Sequence, residues 1–126
     1  MKLRILPYEL TVCKVSDPTA LELDKSFYFI ARTDEELSLV CPTEDAPAET
    51  AAREDGWRGF RIEGVLDFSL IGILSELSGL LAGRGIGIFA VSTYDTDYIL
   101  VKREDLAPAV RALEEAGHTV VERKIR

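Results

Sequence analysis

Cysteine occurs twice and histidine once in these 126 residues, and both scarcities close off classes of chemistry. Cys13 and Cys41 sit in separate apolar stretches, too few to make a disulfide framework. Neither belongs to a C-x-x-C pair or opens a helix that would lower a thiol pKa, so two buried thiols are expected rather than a redox couple. The lone imidazole, His118, stands at the entry to the last strand, far along the chain from Ser69 and Ser92. No nucleophile–base pair is legible, no catalytic residue is assigned, and a partly exposed surface histidine is expected.

Positive charge is also short. Fifteen Lys and Arg stand against 22 Asp and Glu, a formal net charge of -7, which opposes a nucleic-acid partner because such affinity comes largely from cations displacing counterions. No apolar run approaches the roughly 20 residues that span a bilayer. The opening residues, Met1 to Pro7, lack the apolar core and cleavage site of a signal peptide, so no membrane partner and a cytoplasmic location are expected. Asp95 and Asp97 form a D-x-D pair, but without the further oxygen ligands of a calcium loop or the His and Cys of a zinc site. No metal or cofactor is expected. Gly83-Arg84-Gly85-Ile86-Gly87 follows a helix and enters a strand, the reverse of the order in a phosphate-binding loop.

What remains is strongly patterned. Residues 8–15 alternate with period two, placing Tyr8, Leu10 and Val12 on one face of a strand. Asp17-Pro18 breaks it, leaving room for about one helical turn. Residues 27–31 and 37–41 are apolar and flank the polar run 32–36, which predicts a hairpin. Residues 43–55, rich in Ala, Glu, Pro and Asp, offer little to bury and read as an exposed acidic helix or loop. That composition shift divides the chain into residues 1–56 and 57–126.

The second part begins with a strand over 60–66. Leu70, Ile73, Leu74, Leu77 and Leu81 then recur at helical spacing, and Gly83 to Gly85 stop the helix. Residues 86–91 are apolar on both faces, predicting a central strand covered on both sides. Residues 98–101 form the next strand. A second helix carries Leu106, Ala109, Val110 and Leu113, with Pro108 tolerable in its first turn, and Gly117 ends it. The charged segment 120–126 suits an exposed sheet edge. The order β-α-β-β-α-β gives an α+β fold, an antiparallel sheet with two helices on one face, and the first half is a degraded version of the same order.

Two segments carry more polar chemistry than their connections need. In the loop containing Ser69, Leu70, Ile71 and Gly72, backbone amides lie at a helix start, where a carboxylate or phosphate is favoured; simple capping is the commoner use of such residues. The turn Ser92-Thr93-Tyr94-Asp95-Thr96-Asp97-Tyr98 holds two carboxylates suited to an ammonium or guanidinium, three hydroxyls and two rings. A tight hairpin needs far less, although an Asx-type turn with packed tyrosines also accounts for it.

Phe68-Ser69-Leu70-Ile71-Gly72-Ile73-Leu74 and the segment from Ile88 through the turn to Lys102 resemble the ACT-domain family, in particular small bacterial proteins with two ACT-like units related to the CASTOR arginine sensors. The resemblance implies a ferredoxin-like βαββαβ (ACT) unit in the C-terminal half and a degraded one in the N-terminal half. It further implies pairing of units, as in a homodimer, and binding of an amino acid or similar small effector at the interface between units, without catalysis. The ligand-binding residues would be Ser69, Leu70, Ile71, Gly72, Ser92, Thr93, Tyr94, Asp95 and Asp97, with Asp97 facing a basic group. Many ACT domains carry Pro-Gly where this chain has Ser69-Leu70-Ile71-Gly72, which displaces Gly72 from the usual ligand-contacting glycine. Any output would pass through a regulated protein in trans. The alternative is a protein–protein interaction or dimerisation module without a ligand.

Overall fold

The computed structural model describes residues 1–63 and 72–122. The chain forms two compact units, a larger one of Met1–Pro7 with Arg58–Arg126 and a smaller one of Tyr8–Trp57. Among the described residues, eight strands run β1 (Lys2–Ile5), β2 (Leu10–Lys14), β3 (Phe29–Arg32), β4 (Leu37–Pro42), β5 (Ala52–Ile62), β6 (Ile88–Ser92), β7 (Asp97–Lys102) and β8 (Thr119–Glu122). The α-helices among them are α1 (Ile73–Ala82) and α2 (Leu106–Glu115).

In the larger unit the strand order is β6-β7-β5-β1-β8, and both helices pack on one face. Leu77 and Leu81 of α1, with Ala109, Ala112 and Leu113 of α2, meet Leu3 and Ile5 of β1, Phe60 and Ile62 of β5, and Ile99 and Val101 of β7 in one core. The period-two alternation of each strand and the helical spacing of each helix put these residues inward. This is the α+β arrangement expected from the element order, and the ferredoxin-like unit that the family resemblance implies.

An unforeseen strand completes the sheet. β1 pairs antiparallel with β5 and parallel with β8, so the N-terminus lies between the first and last strands of the β-α-β-β-α-β order. The division at residues 56 and 57 leaves β1 with the first half, whereas its sheet partners all lie in the second. Its outward face carries Arg4, whose Nε donates to Glu63 Oε1 at 2.5 Å, while Arg61 lies 3.4 Å from Oε2 of the same carboxylate.

Three further expectations change. Residues 86–91 do not form a central strand: among the described residues β6 pairs only with β7, and Ala90 is exposed. The apolar composition reflects partial cover of both faces, not a position inside the sheet. Within 43–55, the helix is a single 3-10 turn, Thr43–Asp45, after which the polar residues from Ala52 enter β5 and are held by ladder bonds to β2. In β2 an irregularity of register between Leu10 and Val12 breaks the simple alternation. Thr11, Cys13 and Val15 are buried as well as Leu10, while Val12 is only half-buried.

The smaller unit orders its strands β3-β4-β2-β5 around Cys13, Val15, Leu37, Leu39 and Cys41. The two thiols are free and buried, and burial is the main cause that pushes the Cys41 thiol up to about 12. Thr11, fully buried, donates to Asp55 Oδ1 at 2.6 Å, and Arg53 Nε reaches the same oxygen at 2.8 Å. The Thr11 hydrogen bond, followed by that from Arg53, holds the Asp55 carboxyl below its ordinary value. A carboxyl lowered on folding stabilises the fold above its unfolded pKa and loses that contribution as pH falls through its folded value. Acid titration of unfolding is therefore expected to be shallower in Asp55→Asn than in wild type over the range below the usual carboxylate pKa.

The two units resemble one another over the hairpins β3–β4 and β6–β7. β4 begins at Leu37 and β7 sixty positions later at Asp97, and each is followed at once by a 3-10 turn, Thr43–Asp45 and Arg103–Asp105. The turns between strands share two backbone-anchored bonds. Thr33 N donates to Glu36 O at 2.9 Å and Thr93 N to Thr96 O at 2.8 Å; Glu36 N and Thr96 N donate back to the Thr33 and Thr93 hydroxyls at 3.1 and 3.3 Å. Where the larger unit has α1, the smaller has only the 3-10 turn Pro18–Ala20. The smaller unit shares this hairpin and the 3-10 turn after it with the larger one, and has no counterpart of α2 between β4 and β5.

Candidate functional site

Residues 92–97 form the tip of the β6–β7 hairpin, and the structure shows which of their groups are committed to the turn. Ser92 and Asp97 are the closing pair of the ladder. The Ser92 hydroxyl donates to Asp97 Oδ1 at 2.5 Å, which fixes the half-buried carboxylate. Thr93 spends its hydroxyl inside the turn, accepting from Thr96 N and donating to Thr96 O at 3.2 Å. Tyr94, 92% exposed, and the exposed Asp95 extend from the tip. Asp97, Tyr94 and Asp95 therefore keep chemistry to offer a ligand, whereas Thr93 acts as scaffold.

Thr96 was not among the expected site residues, yet it anchors the turn. Its side chain is 3% exposed, and its hydroxyl donates to the Ile62 carbonyl at 2.6 Å. Ile62 is the last residue of β5, so this bond puts the turn at the end of the sheet from which the chain leaves toward α1. A threonine among hydroxyl-bearing neighbours gives no sequence signal of such a role, since its partner is 34 residues away.

At the start of α1, Gly72 takes φ 88° and ψ 6°, the left-handed region that a side chain disfavours. Its carbonyl accepts from Glu76 N at 2.8 Å, closing the first helical turn. Having no side chain, Gly72 cannot cap the first amides of the helix, which point out of its end. Ser69, Leu70 and Ile71 lie outside the described residues.

His118 corrects its sequence assignment: it is 9% exposed, not a surface imidazole, and its Nε2 lies 3.3 Å from Glu76 Oε1 of α1. The short link that follows Gly117 turns it inward rather than toward solvent. Among the described residues, no group of three His, Cys, Asp or Glu side chains is placed to hold a metal ion, and no helix is long and apolar enough to cross a membrane.

Comparison with known proteins identifies the fold by descent. Residues 52–115, half of the chain, match the ACT domain family. The chain belongs to the ACT domain family. Among solved structures, a protein of Agobacterium tumefaciens is similar at 32% identity and a TM-score of 0.87, over 99% of this chain and 95% of that one. A Vibrio cholerae protein of unknown function, a possible transport protein, follows at 24% identity and 0.69, over 90% of this ACT chain and 88% of its own. The regulatory subunit of aspartate kinase from Thermus thermophilus, in ligand-free form, matches at 13% identity and 0.64, over 91% and 97%; a likeness at that identity speaks for the ACT fold alone. No curated protein matches significantly.

Proposed function

We propose that this chain is a non-enzymatic regulatory module that binds an amino acid or a similar small effector through the β6–β7 turn and the start of α1. The observation that carries the reading is the pair Ser92 and Asp97. A hydroxyl holds one carboxylate oxygen of Asp97 at the hairpin mouth, leaving the other to take an ammonium or guanidinium. Gly72 and the first amides of α1 suit the effector's carboxylate, with Ser69, Leu70 and Ile71 completing that half of the site. Tyr94 and Asp95 flank the ligand, and the Thr93–Thr96 scaffold keeps the turn in place.

The repeat of the β4 and β7 hairpins supports kinship with two-unit ACT proteins of the CASTOR type. On this reading the module works as a homodimer in the cytoplasm and signals to a regulated protein in trans, without cofactor, nucleic acid or membrane. Thermal unfolding in the presence of each common amino acid tests it. A ligand at 100 times its dissociation constant adds about 2.7 kcal/mol to stability, so the effector is expected to raise Tm, and no shift with any amino acid ends the reading.

A further inference from the structure

α1 and α2 end in the same way. Gly85 N donates to Ala82 O at 2.9 Å and Ile86 N to Leu81 O at 3.0 Å; Gly117 N donates to Glu114 O and His118 N to Leu113 O, both at 3.0 Å. Gly85 at φ 73° and Gly117 at φ 96° make the left-handed step of each ending. The residue after that glycine lies back on the last turn of its helix, where an apolar side chain is the frequent occupant. Ile86, 5% exposed, fills the place after α1 and joins the core, and His118, 9% exposed, fills it after α2. A titratable ring thus stands where the motif asks only for an apolar one.

The ring is enclosed without being satisfied. Among the described residues neither nitrogen of His118 has a hydrogen-bond partner, although both are buried. Glu76 Oε1 lies 3.3 Å from Nε2, at ion-pair distance but outside hydrogen-bond geometry, and the Glu76 side chain, 59% exposed, has room to adjust. A proton on the imidazole makes both nitrogens donors and the ring a cation.

The elements around the ring carry few other charges. α2 brings the negative end of its dipole with Arg111, Glu114 and Glu115, the last paired with Arg84 beyond the end of α1. From the start of the chain comes the Met1 amino group, for Thr119 N donates to Met1 O at 2.9 Å. Lys2 pairs with Thr119, and the alternation of β1 puts it on the sheet face opposite Leu3. Glu122 closes β8. Among the described residues only Glu76 makes an ion-pair contact with the ring.

We propose that His118 is a proton-operated latch between the α2–β8 corner and the first turn of α1. Protonated, it pairs with Glu76 and ties that turn to the corner; neutral, it holds by packing alone, as Ile86 does. Glu76 N donates to Gly72 O at 2.8 Å, so the tied residue belongs to the turn used by the proposed effector site. The latch itself does not depend on that reading.

Thermal unfolding of the full chain at about pH 8 and about pH 5.5, across the range in which an imidazole changes charge, tests the proposal without any amino acid present. Glu76→Gln is expected to lower Tm by about 1–4 °C more at the lower pH than at the higher. In His118→Leu, which keeps an apolar filling like that of Ile86, the same substitution is expected to act equally at the two values. In NMR spectra the amides of residues 73–77 should move with pH in wild type and stay in place in Glu76→Gln. A Tm loss for Glu76→Gln that is the same at both pH values overturns the latch, as does a pH-dependent loss that persists in His118→Leu or amides that move alike in wild type and Glu76→Gln. Because Glu76 is exposed, its variant keeps the fold, and the wild-type ring decides the matter even where His118→Leu does not fold.

Discussion

Phe60→Ala is expected to lower the unfolding free energy by about 3–5 kcal/mol, the usual cost of emptying a large aromatic site in a packed core. Phe60 is fully buried in β5 and pairs with Ile5 of β1. Its ring belongs to the cluster in which Leu77 of α1 and Leu113 of α2 meet the sheet. Removing it strips contacts from both helices together. Against a total stability of about 5–15 kcal/mol for an ordinary domain, the variant would be marginal. Leu23→Ala, at a side chain 81% exposed, is the control, expected within about 0.5 kcal/mol of wild type. Urea unfolding followed by circular dichroism measures both. A loss under about 1 kcal/mol for Phe60→Ala would contradict the packing described.

Thr96→Val is expected to cost about 1–3 kcal/mol, although the two side chains have nearly the same shape. The loss comes from the Ile62 carbonyl, which keeps its buried position but loses its donor at 2.6 Å. Thr96→Ser keeps the hydroxyl and should recover most of the loss. Because the same bond moors the turn to the end of β5, Thr96→Val is also expected to weaken effector binding without touching a group that contacts the ligand. The pair of variants, compared by thermal unfolding, separates the hydroxyl from the methyl.

The parts of the fold legible in the sequence are those whose pattern is local. Leu77 and Leu81, or Ala109 and Leu113, declare a helix face within one or two turns, and Gly117, at φ 96°, declares its end. The hairpin of residues 27–41 is readable because two apolar runs bracket a charged one. β1 is not legible because four residues carry too little periodicity, and what holds them is pairing with residues about 60 and 120 positions along the chain. The early start of β5 hides for a related reason: Ala52, Arg53, Glu54 and Asp55 are exposed, so the ladder to β2, not burial, makes them a strand.

The site shows the same division. The excess of polar groups between Ser92 and Tyr98 is visible to composition, and the resemblance to the ACT family singles out Asp97. Which hydroxyls are free for a ligand is not visible, since Thr93 and Thr96 look alike in sequence while one closes the turn and the other reaches Ile62. The burial of His118 is hidden likewise, for its neighbour Glu76 lies 42 positions away.

The proposed effector site rests on Asp97 as a ligand group, and calorimetric titration tests that directly. The amino acid that gives the largest thermal shift is titrated into wild type and into Asp97→Ala at equal ionic strength. Loss of a charge-assisted hydrogen bond, worth about 1.5–3 kcal/mol, predicts at least about ten-fold weaker binding in the variant. Equal affinity in the two proteins would contradict the placement of the effector at this turn.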